Sequence, residues 1–229
     1  MFKHYDVSLE TKIASAKAFL ARYAEGEMGF SETDIPAVPE VELLENEVLV
    51  LGIYLPDKDS KPGYLRTFDA WWDFYELPEF MKEDGYKKIR SNCFQRNCLE
   101  AREDQIRLWP SYEYRPGMRW IVIDTKVYKG ESSDNAVRLA AADGKTLAGL
   151  EVLMLLAYCP KWAASWGDAK PRINATALQV FYEKDGWGWS VLMYRWDGGS
   201  EVIMTPTQNT DYGFYRLSTH KVHPCFREC

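Results

Sequence analysis

The sequence predicts an α+β protein built as one folding unit, with three helices (about 9–24, 65–77 and 146–158) and a mostly antiparallel sheet in its C-terminal half. Three observations predict this. Apolar residues recur at helical spacing in those three segments. The last third alternates apolar runs with tight, glycine-containing turns. Helices precede these strands rather than separating them, which favours antiparallel pairing over a wound parallel sheet.

Residues 1–45 read as a helical arm and linker, and 46–229 as the main α+β domain. In the arm, Leu9, Ile13, Ala16, Leu20 and Tyr23 form one stripe, with Lys12, Lys17 and Arg22 largely off it. Ser8 is the expected N-cap and Gly26 the expected stop. Ile35-Pro36-Ala37-Val38-Pro39 then forbids helix and imposes an extended connector.

Val48 to Leu55 is an apolar run ended by Pro56, the pattern of a strand buried on both faces. Leu65, Phe68, Trp72 and Tyr75 recur at helical spacing up to Pro78. Gln105 to Trp109 and Arg119 to Asp124 read as two strands joined through Pro110 and the Arg115-Pro116-Gly117 turn. Thr146 is the expected cap of the third helix, whose apolar run continues through Leu147, Leu150, Leu153, Met154 and Ala157. Strands follow at 177–183, 187–196 and 201–205, separated by Lys184-Asp185-Gly186 and Asp197-Gly198-Gly199, with 212–217 as a further candidate.

The composition narrows the function classes. A chain of 229 residues can bury roughly 70% of its unfolded surface in one core. Its 46% hydrophobic and 27% charged residues are those of an ordered globular protein. With 28 basic against 34 acidic residues, the formal charge of -6 disfavours nucleic acid as a partner. The Met1 to Asp6 start lacks the apolar stretch of a signal peptide, and no run is long enough to span a membrane, so a cytoplasmic location is expected. Five cysteines without an export signal read as reduced thiols or metal ligands. Nine Trp, fourteen Tyr and ten Phe amount to 14% of the chain, enough to serve both a dense core and a contact surface.

Several segments together resemble a group of hypothetical bacterial proteins: Arg66-Thr67-Phe68 with Trp72, Tyr114 to Asp124 with its Pro-Gly-x-Arg-Trp core, Leu147 to Leu153, and Pro160-Lys161-Trp162. The resemblance runs over about 48–217. It implies one domain and a bacterial or phage-like cytosolic origin, and no particular reaction.

Four constellations could carry chemistry. His220, His223, Cys225 and Cys229 are the ligand types of a tetrahedral zinc site, which Cys93 and Cys98 could complete, although the same residues in a polar tail need bind nothing. Asp124 and Lys126 at a strand end could hold a divalent cation and orient a water, with Asp104 or Glu113 as second carboxylate. Glu151, the one ionisable side chain from Leu147 to Ala157, is either a perturbed acid or the partner of Arg119 or Arg138. Trp187 and Trp189 lie on one face of a strand beside Gly186 and Gly188, where they could stack on a ligand or fill a hairpin's inward face.

The imitation of a P-loop at Asp143-Gly144-Lys145-Thr146 fails at Leu139, where the first glycine belongs, and three histidines leave little for a His-based triad. The leading expectation is a non-enzymatic binding protein that uses Trp187, Trp189 and Arg119 as contacts. The alternative is a metal-dependent hydrolase or nuclease using Asp124, Lys126 and Glu151. Catalytic residues, ligand and cofactor are otherwise unspecified by the sequence, with zinc the one cofactor it suggests.

Overall fold

A computed structural model describes residues 7–23, 30–75, 90–91, 106–159, 172–182, 186–196, 199–206 and 221–229. The architecture is α+β. In chain order the elements are α1 (Leu9–Tyr23), a 3-10 turn (Glu32–Asp34), β1 (Glu47–Tyr54), α2 (Gly63–Tyr75), β2 (Arg90–Ser91), β3 (Ile106–Leu108) and β4 (Gly117–Asp124). They continue with α3 (Ser133–Ala142), β5 (Thr146–Leu147), α4 (Leu150–Tyr158), β6 (Arg172–Tyr182), β7 (Gly186–Trp196), β8 (Gly199–Pro206), β9 (Lys221–Val222) and β10 (Cys225–Glu228).

The strands form two sheets. The first has the order β1-β4-β10-β5 and the second β2-β8-β7-β6-β3, with β9 beside β6. Pairing is antiparallel except at β2–β8 and β6–β9. Two expected strands, at 105–109 and 119–124, therefore do not pair with each other: β3 joins β6 in the second sheet and β4 joins β1 in the first. The candidate strand at 212–217 lies outside the described residues.

Four α-helices are described where three were expected. The additional one, α3, opens on Ser132, whose hydroxyl accepts the Asn135 N–H at 3.1 Å, the ordinary N-cap arrangement. The third expected helix starts later than Thr146. Thr146 and Leu147 are taken by β5, which pairs with Phe226 and Cys225, and Gly149 becomes the N-cap of α4.

Strand β1 is buried on both faces from Val48 to Tyr54, and it lies at the edge of its sheet. A bare edge leaves alternate carbonyls unpaired, which in an apolar interior is costly. Here side chains cap them in turn. Lys12 Nζ donates to Leu49 O (2.8 Å), the Tyr158 hydroxyl to Leu51 O (2.9 Å), the Trp71 indole to Ile53 O (2.9 Å) and the Tyr114 hydroxyl to Leu55 O. The Leu55 N–H donates to Thr67 Oγ1 (2.8 Å), which in turn contacts the Tyr114 hydroxyl (2.8 Å).

These caps explain why the helical stripes are rotated from the sequence expectation. In α1 the buried face is Lys12, Ser15, Ala16, Phe19 and Leu20, while Leu9 is exposed. Lys12 turns inward because its ammonium reaches the β1 edge, and Phe19 because it stacks on Trp71 at 4.0 Å. In α2 it is Trp71, not Trp72, that is fully buried. Helix α4 is buried from end to end, so it supplies the centre of the main core with β1 and β4.

Candidate functional site

The two carboxylates proposed for catalysis are held in different ways. Asp124 ends β4 opposite Glu47, and its Oδ1 accepts the Lys126 N–H at 3.1 Å, a local turn. Among the described residues it has no arginine partner: Arg119 pairs with Glu228 and Arg138 bonds Asn135. The Lys126 side chain is exposed. Glu151 is fully buried. Its Oε1 accepts the hydroxyls of Tyr54 (2.7 Å) and Tyr112, and its Oε2 accepts the Gly149 N–H (2.9 Å). Burial, followed by the charge of Glu151, holds both tyrosines well above the usual phenol range, so they stay protonated donors.

The Tyr54 ring lies over Gly52, near the far end of the β1–β4 ladder from the Glu47–Asp124 pair. From Gly52 to that pair is about 17 Å of strand. Asp124 and Glu151 therefore do not converge. The Arg119 expected beside Glu151 instead stacks on the Tyr54 ring at 3.9 Å. Its Nε lies 2.8 Å from Glu228 Oε1 without making a directed hydrogen bond.

The C-terminal His/Cys group is similarly dispersed. His220, Cys93, Cys98 and Asp104 lie outside the described residues. His223 is buried, and both ring nitrogens are engaged: Nε2 donates to Glu131 O (2.8 Å), and Nδ1 meets Thr176 Oγ1 (2.7 Å). Cys225 and Cys229 are four positions apart along and just beyond β10, which in extended chain is about 13 Å. One small ion cannot reach both thiols. Among the described residues no three His, Cys, Asp or Glu side chains form a metal site.

The aromatic surface is where the described geometry converges. Trp187 is half-buried on β7, with the exposed Phe181 ring edge-on at 5.5 Å. The Arg107 guanidinium lies over the Trp187 ring at 4.4 Å, and its Nε donates to Gln179 Oε1 at 2.8 Å. Gln179 faces Arg107 across the β3–β6 pair. The guanidinium is thus fixed on one side by a ring and on another by an amide. Among the described residues its terminal nitrogens make no hydrogen bond or ion pair.

Arg107, rather than the expected Arg119, is the arginine of this patch. The signal for it is the alternation Ile106-Arg107-Leu108, which places Arg107 on the opposite face of β3 from Ile106 and Leu108. Trp189 sits opposite Val180 in the β6–β7 ladder. A comparison of the chain with protein-family models, with curated proteins and with solved structures finds no match.

Proposed function

We propose that the chain is a non-enzymatic binding protein whose contact surface is the Arg107–Trp187–Phe181 patch, and that its partner is an acidic peptide segment with an apolar or aromatic residue beside the carboxylate. The observation that supports this is the held guanidinium of Arg107. Its stacked, amide-bonded position leaves its terminal N–H groups to meet a carboxylate in the two-pronged geometry arginine favours. A donor already fixed in place loses little side-chain freedom on binding, and Trp and Arg are the residues that most often anchor interfaces. The three cysteines of the described segments are free thiols, in keeping with a cytoplasmic setting. No helix among the described residues is long and apolar enough to cross a membrane.

The test is selection of a displayed random peptide library on the immobilised chain, with the R107Q/W187A variant as the control surface. Enrichment of peptides pairing Asp or Glu with an aromatic or aliphatic neighbour, lost on the variant while its melting curve stays cooperative, is the expected result. Enrichment that is equal on both surfaces, or that shows no preference for acidic residues, refutes the proposal.

A further inference from the structure

A pocket of about 130 Å³ opens between α3, β5 and the connection from β3 to β4. It is lined by Val137, Leu147, Ala177 and Trp109, and its polar lining residues include Ser111, Thr146 and Lys145. An apolar cavity of about 150 Å³ holds one benzene ring, so this space is of the size that suits a single ring.

Two features decide the chemistry of the occupant. The Lys145 backbone is fixed at the end of α3, its N–H donating to Ala140 O at 2.8 Å after Gly144 at φ +64°. Its exposed side chain makes no ion pair among the described residues. The neighbouring Asp143 accepts the Tyr128 hydroxyl at 2.8 Å. The Tyr112 hydroxyl, at the pocket wall, donates inward to Glu151 and so offers the pocket no proton. A lysine and two hydroxyl residues that line one pocket together with apolar residues and a tryptophan select an anion attached to a flat apolar body.

We infer that this pocket binds a small single-ring aromatic carboxylate, its ring among Trp109, Val137 and Leu147 and its carboxylate at Lys145. The inference stands apart from the Arg107 patch and uses none of its residues.

Sodium benzoate, benzamide and sodium acetate, titrated separately into the ¹⁵N-labelled full chain, test it. Benzoate is expected to give saturable shifts at the amides of Ser111, Lys145, Thr146 and Leu147, binding about tenfold more tightly than benzamide. Lys145→Gln should remove the benzoate preference while retaining ring binding, and Ala141→Trp, at an exposed position on the pocket rim, should block both aromatic ligands. No saturable shift at these amides, equal binding of benzoate and benzamide, acetate binding as well as benzoate, or an unchanged benzoate preference in Lys145→Gln overturns the inference.

Discussion

Replacing Glu151 tests whether the buried carboxylate is a structural acceptor. It receives three hydrogen bonds from buried donors, the hydroxyls of Tyr54 and Tyr112 and the Gly149 N–H. Glu151→Gln keeps the shape and one acceptor oxygen. If that oxygen stays with the two tyrosines, the amide nitrogen faces the Gly149 N–H, donor against donor. If the amide turns over, the two hydroxyls lose their acceptor instead. Either way at least one buried donor is stranded, at about 1–3 kcal/mol. Glu151→Ala strands all three and opens space in the core, so its cost should be on the order of 4 kcal/mol or more. Tyr54→Phe removes one donor and leaves the carboxylate bonded twice, at about 1 kcal/mol. Urea unfolding followed by intrinsic fluorescence measures all three, and the Y54F/E151Q double variant reports the amide's orientation: its cost should match the sum of the single costs if the oxygen stays with the tyrosines and fall below it if the amide turns over and strands the tyrosine hydroxyls. A Glu151→Ala protein within about 1 kcal/mol of the parent, with the same denaturant slope, would refute the structural account.

The same network makes Gly52 intolerant of a side chain. A Cβ there would sit 2.6 Å from Tyr54 Cε2, so Gly52→Ala should destabilise by about 1–3 kcal/mol in the same assay. Lys12→Met keeps the apolar stem and removes the donor to Leu49 O; a loss of about 1–3 kcal/mol is expected, and a neutral result in thermal unfolding would show that the edge carbonyl finds another partner. Burial pushes the Cys225 thiol up to about 12 from 9.0, so with mass-spectrometric mapping alkylation at pH 8 should label the exposed Cys229 before Cys225. Above pH 9 the unfolded chain releases a proton that folded Cys225 retains, so stability should fall as pH rises from about 9 toward 12, and Cys225→Ser should flatten part of that fall.

The parts of the fold that were legible in the sequence are those fixed by local pattern. The run Val48 to Leu55 reads as a doubly buried strand because every residue in it is apolar, and β6, β7 and β8 are marked by the turns between them. What escaped the sequence depends on partners far along the chain. Lys12 looks like a solvated residue until the β1 edge 37 positions away supplies a carbonyl for it. Thr146 looks like a helix cap until β10, at the other end of the chain, pairs with it. The separation of Asp124 and Glu151 is hidden for the same reason, since only the β1–β4 register reveals how far apart the two acids are. Helix α3 is marked in the sequence only by Ser132 and an alanine-rich run, since its ten residues carry few large apolar side chains to draw a stripe.

The segment that looks most like a motif, Tyr114 to Asp124, takes much of its distinctiveness from what the fold asks of it. Each unusual residue in it answers a structural demand. Tyr114 caps Leu55, and Gly117 adopts φ +130°, a backbone setting that disfavours any side chain. Arg119 sits opposite Gly52 because only glycine leaves room there for the Tyr54 ring on which the guanidinium stacks. Trp120 is buried with its indole N–H on Pro36 O, which ties the proline connector to the sheet. Arg107 belongs to no motif, yet its terminal nitrogens are held in place and, among the described residues, unclaimed. That held and unclaimed donor is the basis on which the binding function is proposed.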